Sequence, residues 1–392
     1  MTKDYDKLND LNKLICFLKG FIQLIITILY TGICHCFFTQ IMNINIQVLE
    51  SETQNRYRFI RLLGQGSFGT VFEAEDLHNK TICAIKQISK PFNSVLDAKR
   101  LLREIRILSK LHHENITNLF NVTSSSTYSN FNTVYLVIEK MDTDMSCLLQ
   151  NHVKLSFEHR RYFMYQLLRG LKYIHSAKVV HRDIKPENIF INSKNELKIG
   201  DFGLSRVIGD PYSPELQNEA ILTRCYRAPE VLLNMKNYGP AIDVWSAGCV
   251  LGELMTGKPL FNGQSNLNMI TLIVDLLGSP THEDLKQITN QTARKFMDSL
   301  PQKNPVPFTK LFDGYDPNEI DLLSKMLTWN PEKRIAVEEA LNHKMFSLFH
   351  DPFEEPVTAP LSDFEFERPE ITLDDLKQLL WKEITLRHPE FK

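Results

Sequence analysis

His181-Arg182-Asp183-Ile184-Lys185-Pro186-Glu187-Asn188, followed by Asp201-Phe202-Gly203, is the stretch on which the reading of this chain turns. A carboxylate, a lysine and an amide are packed into one turn, and a second carboxylate follows after what reads as a short strand pair. Chance agreement at both strings is negligible. Upstream, Tyr57 to Leu63 and Val71 to Glu75 alternate apolar and polar residues like strands, with Gly64-Gln65-Gly66-Ser67-Phe68-Gly69-Thr70-Val71 between them. Glycines at Gly64, Gly66 and Gly69 let the backbone come close to phosphate oxygens and take up unusual dihedrals. A glycine-rich loop by itself is weak evidence, but here a second strand follows it where a dinucleotide fold would have a helix.

The next strand, Thr81 to Ser89, carries Lys86 among apolar neighbours, a costly place for an ammonium unless it is paired. It reads either as a snorkelling edge residue or as a phosphate ligand held by a carboxylate. Val95 to Leu111 has helical spacing of Leu101, Ile105 and Leu108, and Glu104 lies on it beside Arg100 and Arg103. A Lys86–Glu104 ion pair is therefore expected.

Together with Ala228-Pro229-Glu230, these strings resemble the signature set of the eukaryotic protein kinases in order and spacing. The resemblance implies an α+β bilobal fold with a small β-rich N-lobe and a large helical C-lobe. It also implies ATP and Mg2+ as nucleotide and metal. Asp183 would accept or orient the proton of a substrate hydroxyl, Lys185 would steady the transferred phosphoryl group, and Asn188 and Asp201 would hold magnesium. Leu63, Val71 and Ala84 fall to the same nucleotide pocket. In the hinge, Ile138 is the gatekeeper, Glu139 and Met141 offer backbone contacts to adenine, and Asp144 reaches the ribose. Lys185 and Thr223 indicate serine/threonine specificity. Asp243-Val244-Trp245 resembles the central helix of the lower lobe, and Glu230 with Arg334 its buried ion pair.

The branch is narrowed by three features. Thr223-Arg224-Cys225-Tyr226-Arg227-Ala228-Pro229-Glu230 is similar to the segment of mitogen-activated and cyclin-dependent kinases, with Thr223 and Arg227 at the substrate pocket. Arg227 would occupy a backbone carbonyl there, so a substrate amide would lose its acceptor at about 1–3 kcal/mol, whereas proline has no N–H to lose. Ser-Pro or Thr-Pro sites are thus expected. Residues 266–305 resemble the mitogen-activated insert. His350-Asp351-Pro352-Phe353-Glu354-Glu355-Pro356 resembles that family's acidic docking motif, which implies that Asp351, Glu354 and Glu355 bind basic peptides of activators and substrates, and Thr372 to Leu386 resembles its returning helix. The expected layout is an extension over 1–56, a kinase domain over 57–349 with lobes 57–140 and 141–349, and a C-terminal extension over 350–392. The family implies a cytoplasmic or nuclear protein of signal transduction, closest to the ERK type.

The activation lip departs from the pattern. Where ERK-type relatives carry Thr-x-Tyr, this chain has Asn218-Glu219-Ala220, while Arg182, Arg206 and Arg100 or Arg103, the residues that would receive a phosphate, remain. Without phosphate these cations repel one another or find another anion. One exposed carboxylate such as Glu219 contributes about 0–1 kcal/mol, whereas turning a two-state switch from mostly off to mostly on takes about 5.5 kcal/mol. The lip is then active without phosphate, or Tyr212 or Ser213 is the modified residue, or activity is low. The leading reading is a working kinase with atypical regulation. The alternatives are a kinase-fold scaffold with weak catalysis and a cyclin-dependent type, the latter suggested by Glu187 before Asn188.

With 392 residues, a net charge of −2 and 7 scattered cysteines lacking a C-x-x-C pair, nothing points to nucleic acid, disulfides or zinc. Residues 20–39 are apolar and uncharged, about the length of a membrane span. Lys13 and Lys19 before it and Glu50 and Glu52 after it would put the catalytic part on the side away from ATP, which disfavours a span. An interfacial segment, a cleaved leader or a start at Met42 are the other readings.

Overall fold

The computed structural model describes residues 46–66, 69–124, 127–209, 224–235, 239–286, 288 and 290–391. The apolar stretch 20–39 and the lip residues 210–223, with Thr223 among them, lie outside the described residues.

A short helix, α1 (Ile46–Glu52), precedes a five-stranded antiparallel sheet of β1 (Tyr57–Gly66), β2 (Gly69–Asp76), β3 (Thr81–Ser89), β4 (Leu119–Thr123) and β5 (Thr133–Glu139) in the order β1-β2-β3-β5-β4. Helix α2 (Val95–Leu108) lies between β3 and β4 in sequence. It begins at Ser94, whose side chain accepts from the Asp97 N–H, one of the donors that a helix start leaves unpaired. Strand alternation divides the sheet's apolar residues between two faces. Tyr135 and Val137 of β5 join Tyr57, Phe59, Phe72 and Leu49 of α1 in one small core. Val134 and Leu136 turn the other way, onto Ala98, Leu101, Leu102 and Ile105 of α2. The sheet thereby packs an apolar core on each face, with α2 against one of them.

The C-terminal part is helical: α3 (Met145–Gln150), α4 (Phe157–Ser176), α5 (Pro229–Leu232), α6 (Ala241–Thr256), α7 (Asn266–Leu277), α8 (His282–Lys286), α9 (Gln291–Ser299), α10 (Phe308–Leu311), α11 (Pro317–Met326) and α12 (Val337–Leu341). Helix α6 is buried along nearly its whole length, as expected of a helix apolar all round. Around the signature strings run the short ladders β6 (Thr143–Asp144), β8 (Ile189–Ile191) and β9 (Leu197–Ile199), and β7 (Val179–Val180) with β10 (Arg206–Val207). Helices α7 to α9 occupy the expected insert. A last helix, α13 (Leu373–Thr385), opens with a Thr372/Asp375 capping box and buries Leu376, Leu380 and Ile384. It returns to α2, and Trp381 packs against Phe131 with ring centroids 5.3 Å apart.

Among the described residues no helix is long and apolar enough to cross a membrane.

Candidate functional site

The site lies between the sheet and the helical part. Strands β1 and β2 meet across the glycine loop, with Gly66 opposite Gly69. At Gly69 φ is +136°, and a Cβ there would stand 2.3 Å from the Gln87 carbonyl oxygen, so no other residue fits. Gly64 and Gly66 face open space instead. Beneath the loop a cavity of ≈ 340 Å³ is lined by Leu63, Gly64, Val71, Ala84, Lys86, Glu104, Ile138, Glu139, Met141, Asp144, Asn188 and Asp201. Gly66 and Gly69 border an adjoining cavity of ≈ 360 Å³ that shares Lys86, Glu104 and Asp201. All twelve nucleotide-pocket residues singled out in the sequence thus line one of two connected spaces. Leu108, Thr117, Cys147 and Phe190 also line the first, and no motif marked them.

Antiparallel registry sets Val71 opposite Lys86 and Ala84 opposite Ile138. The Lys86 ammonium donates to both Glu104 carboxylate oxygens at 2.8 and 2.9 Å and lies 3.8 Å from Asp201 Oδ1. Burial alone would push the Lys86 ammonium down, but the Glu104 and Asp201 charges outweigh it and hold it up, charged. Burial likewise works to raise the Asp201 carboxyl, and Lys86, His181 and Lys185 overcome it, so Asp201 stays below the usual carboxylate range. Asp144 caps α3 by accepting the Cys147 N–H at 2.9 Å, and burial raises its carboxyl. The Glu139 side chain is taken by Asn118 at 2.6 Å and Lys198 at 3.1 Å, and its backbone N–H donates to the Asn118 carbonyl at 2.9 Å.

The catalytic-loop residues form one hydrogen-bonded cluster. Lys185 Nζ donates to Asp183 Oδ2 at 2.8 Å, and Asn188 Nδ2 donates to the Asp183 carbonyl at 2.8 Å and to Oδ2 at 2.9 Å. Arg182 and Asp201 sit at φ +71° and +62°, backbone that costs a non-glycine residue about 1–3 kcal/mol. What holds Arg182 there is Asp243, on α6. Its fully buried carboxylate accepts from the His181 N–H and the Arg182 N–H, both at 2.8 Å, and lies 2.9 Å from His175 Nε2. The sequence pointed to Asp243 as part of a core helix and missed this role. Glu230 and Arg334 are joined at 2.7 and 3.0 Å, both buried. Arg227 is half-buried, with its N–H on the Arg224 carbonyl at 3.1 Å.

The donors suit a magnesium–ATP complex. Asn188 commits its N–H groups to Asp183 and keeps an acceptor oxygen, and Asp201 is an ionised carboxylate; both are hard oxygen donors. Among the described residues no cluster of three or more His, Cys, Asp and Glu could cage a metal without help. A cation here needs phosphate oxygens as well, as magnesium sites beside nucleotides do.

Two expectations need correction. Asp351 and Glu354 are exposed, but Glu355 is buried: it pairs with Lys172 at 3.1 Å and His350 at 2.8 Å and accepts the Tyr165 hydroxyl at 3.2 Å. These three residues engage its carboxylate and leave it 3% exposed, so it does not meet a docking peptide. Arg103 does not wait for a lip phosphate either, being buried against Glu367 Oε1 at 2.6 Å and donating to the Gly203 carbonyl.

A protein kinase domain model matches residues 57–346. The chain is 43% identical over 331 residues to the mitogen-activated protein kinase homolog MMK2 of Medicago sativa, which covers 84% of this chain and 88% of that protein. It is 43% identical to mitogen-activated protein kinase 6 of Oryza sativa subsp. japonica, over 84% of this chain and 87% of that one. Extracellular signal-regulated kinase 1 of Dictyostelium discoideum is 43% identical over 335 residues, 86% of this chain and 63% of that protein. The chain belongs to the protein kinase family, within its mitogen-activated serine/threonine branch.

Proposed function

We propose that this kinase transfers the γ-phosphoryl group of ATP to serine or threonine followed by proline in protein substrates, using the residues that line the two cavities and the Asp183–Asn188 turn beside them. The observation that carries the reading is the pair of clusters Glu104–Lys86–Asp201 and Lys185–Asp183–Asn188, which meet at one cavity through Asp201 and Asn188. Phosphoryl transfer asks a protein chiefly for positioning and charge neutralisation. Lys86, steadied by Glu104, holds the nucleotide's phosphates. Asp183 takes the substrate hydroxyl's proton as its oxygen bonds to phosphorus, and Lys185 neutralises charge on the group in transit. Bound between Asn188 and Asp201, magnesium would supply the positive charge that a leaving diphosphate requires. Arg227, at the substrate pocket, selects proline by leaving a substrate N–H without its acceptor. Asp351 and Glu354 offer exposed carboxylates to basic docking peptides.

The test is labelling of a Ser-Pro/Thr-Pro protein with radiolabelled ATP by the full chain and by Asp183→Asn, with no upstream kinase. Labelling abolished by the substitution is the expected result. Equal background from both proteins would mean that an activator acting elsewhere is needed, or that the scaffold reading moves ahead.

A further inference from the structure

Of the charged residues in the Asp183–Asn188 turn, Glu187 is the one that phosphoryl transfer as described above leaves unused. Its backbone is pinned. Pro186 and Asn188, on either side of it, are buried in a 3-10 turn. The Asn188 N–H donates to the Lys185 carbonyl at 3.0 Å, and the Asn188 side chain donates to the Asp183 carbonyl at 2.8 Å. The turn also packs against β6 and α3. Between its two buried neighbours Glu187 is exposed. Among the described residues its carboxylate has no hydrogen-bond or ion-pair partner. An acid on a free loop would simply be solvated; this one is held at a fixed place beside Asp183, where a protein substrate must pass.

The surroundings of Glu187 are short of positive charge. Its carboxylate acts on Cys225, Tyr226 and Glu253, so it lies near the segment that bears Arg227. Tyr226 donates its hydroxyl to Glu253 Oε2 at 2.6 Å. Burial raises the Glu253 carboxyl and Glu187 raises it further; only the neutral Tyr226 hydroxyl opposes them. A cation brought by the substrate would therefore be favoured by both carboxylates.

The direction of the substrate chain says where that cation must sit. With proline seated at Arg227 after the phosphoacceptor, Glu187 is left to the residues before it. In an extended peptide alternate side chains share a face, so the residue two before the acceptor points the same way as the hydroxyl that enters the turn, about 7 Å along the chain. We propose that Glu187 is a specificity-determining residue, whose carboxylate receives an arginine or lysine side chain carried two residues before the phosphoacceptor. Arginine suits it best, because a guanidinium offers a carboxylate two parallel N–H bonds. The proposal rests on the reading of the chain as a phosphotransferase at Ser-Pro and Thr-Pro sites, and it narrows the substrates to those with a basic residue upstream of the acceptor.

The experiment uses the full chain as wild type, Asp183→Asn, Glu187→Gln, Glu187→Asp and Glu187→Lys. The substrates are three peptides with one Ser-Pro acceptor and arginine, alanine or glutamate two residues before it, and a fourth with the arginine moved to four before it. Wild type should favour the first peptide over the alanine one by about tenfold in kcat/KM, equivalent to about 1.4 kcal/mol, chiefly through KM. That ratio should shrink as salt is added. Glu187→Gln should bring the ratio to within twofold of one, Glu187→Asp should keep part of it, and Glu187→Lys should invert it toward the glutamate peptide. If Glu187 only shaped the turn, its variants would lower kcat on all peptides alike and leave the ratio and its salt dependence as in wild type, which overturns the proposal. A wild-type ratio near one, or an equal preference for the displaced arginine, overturns it too. The same peptides carrying a fluorophore are also measured for binding to each protein by anisotropy, which needs no transfer. Arginine-selective binding that Glu187→Gln abolishes, with labelling no higher in wild type than in Asp183→Asn, would keep the subsite and overturn the phosphotransferase reading. Neither selectivity nor labelling would overturn both.

Discussion

Replacing Asp243 by asparagine keeps the shape of the side chain and removes its charge. The carboxylate accepts two main-chain N–H groups at 2.8 Å and faces His175 Nε2 at 2.9 Å. An asparagine oxygen can accept one of the amides, and its NH2 group must then face the other, donor against donor. A hydrogen bond to a charged acceptor contributes about 1.5–3 kcal/mol and a buried orphan amide costs about 1–3 kcal/mol. We therefore expect a loss of about 3–5 kcal/mol, in line with breaking a buried ionic contact. At about 2 °C per kcal/mol for a chain of this size, the melting temperature should fall by about 6–10 °C. The amide that is let go belongs to His181 or to Arg182, and Arg182 at φ +71° has most to gain by relaxing. Asp183 moves with it, so kcat should fall about a hundredfold, equivalent to about 3 kcal/mol at the barrier. The assay is a calorimetric melt together with single-turnover labelling at a temperature where both proteins are folded. A melting temperature within about 2 °C of wild type and a kcat within threefold would refute the reasoning.

Three further outcomes follow from burial and exposure. His113 stacks on Tyr173 at 4.8 Å and accepts the Asn115 N–H at 3.0 Å, while its Nε2 is buried without a partner. Burial, with Arg169 adding to it, pushes the imidazole from 6.5 to about 4. The unfolded chain then binds more protons than the folded one between those values, so stability is intact above pH 6.5 and falls as pH drops toward 4, by about 2–3 kcal/mol in total. Denaturant midpoints at pH 7.5 and pH 5 should show this drop in wild type and a smaller one in His113→Gln. Around the acidic run, Glu355→Ala should cost about 3–5 kcal/mol because Lys172 loses a buried partner. Asp351→Asn with Glu354→Gln should leave the melt within about 0.5 kcal/mol of wild type while weakening a basic docking peptide measured by fluorescence anisotropy.

Much of the nucleotide site was legible before the fold because its parts are short. A glycine loop between two strands, a lysine in an apolar strand and the Asp183–Asn188 turn are each specified within a few residues, and local backbone rules with hydrogen-bonding chemistry set what they can be. The Lys86–Glu104 pair was legible too, since a strand and the helix after it leave little choice of partner. The roles of Asp243, Glu355 and Glu367 were not. An acidic residue in an acidic run reads the same whether it meets solvent or a buried cation. What decides it is which side chains arrive from elsewhere: Lys172 reaches Glu355 across 183 residues and Arg103 reaches Glu367 across 264. Local pattern determined the glycine loop and the Asp183–Asn188 turn; only tertiary packing, by removing water from particular charge pairs, decided which of the chain's carboxylates line the cavity or stay exposed and which hold the molecule together.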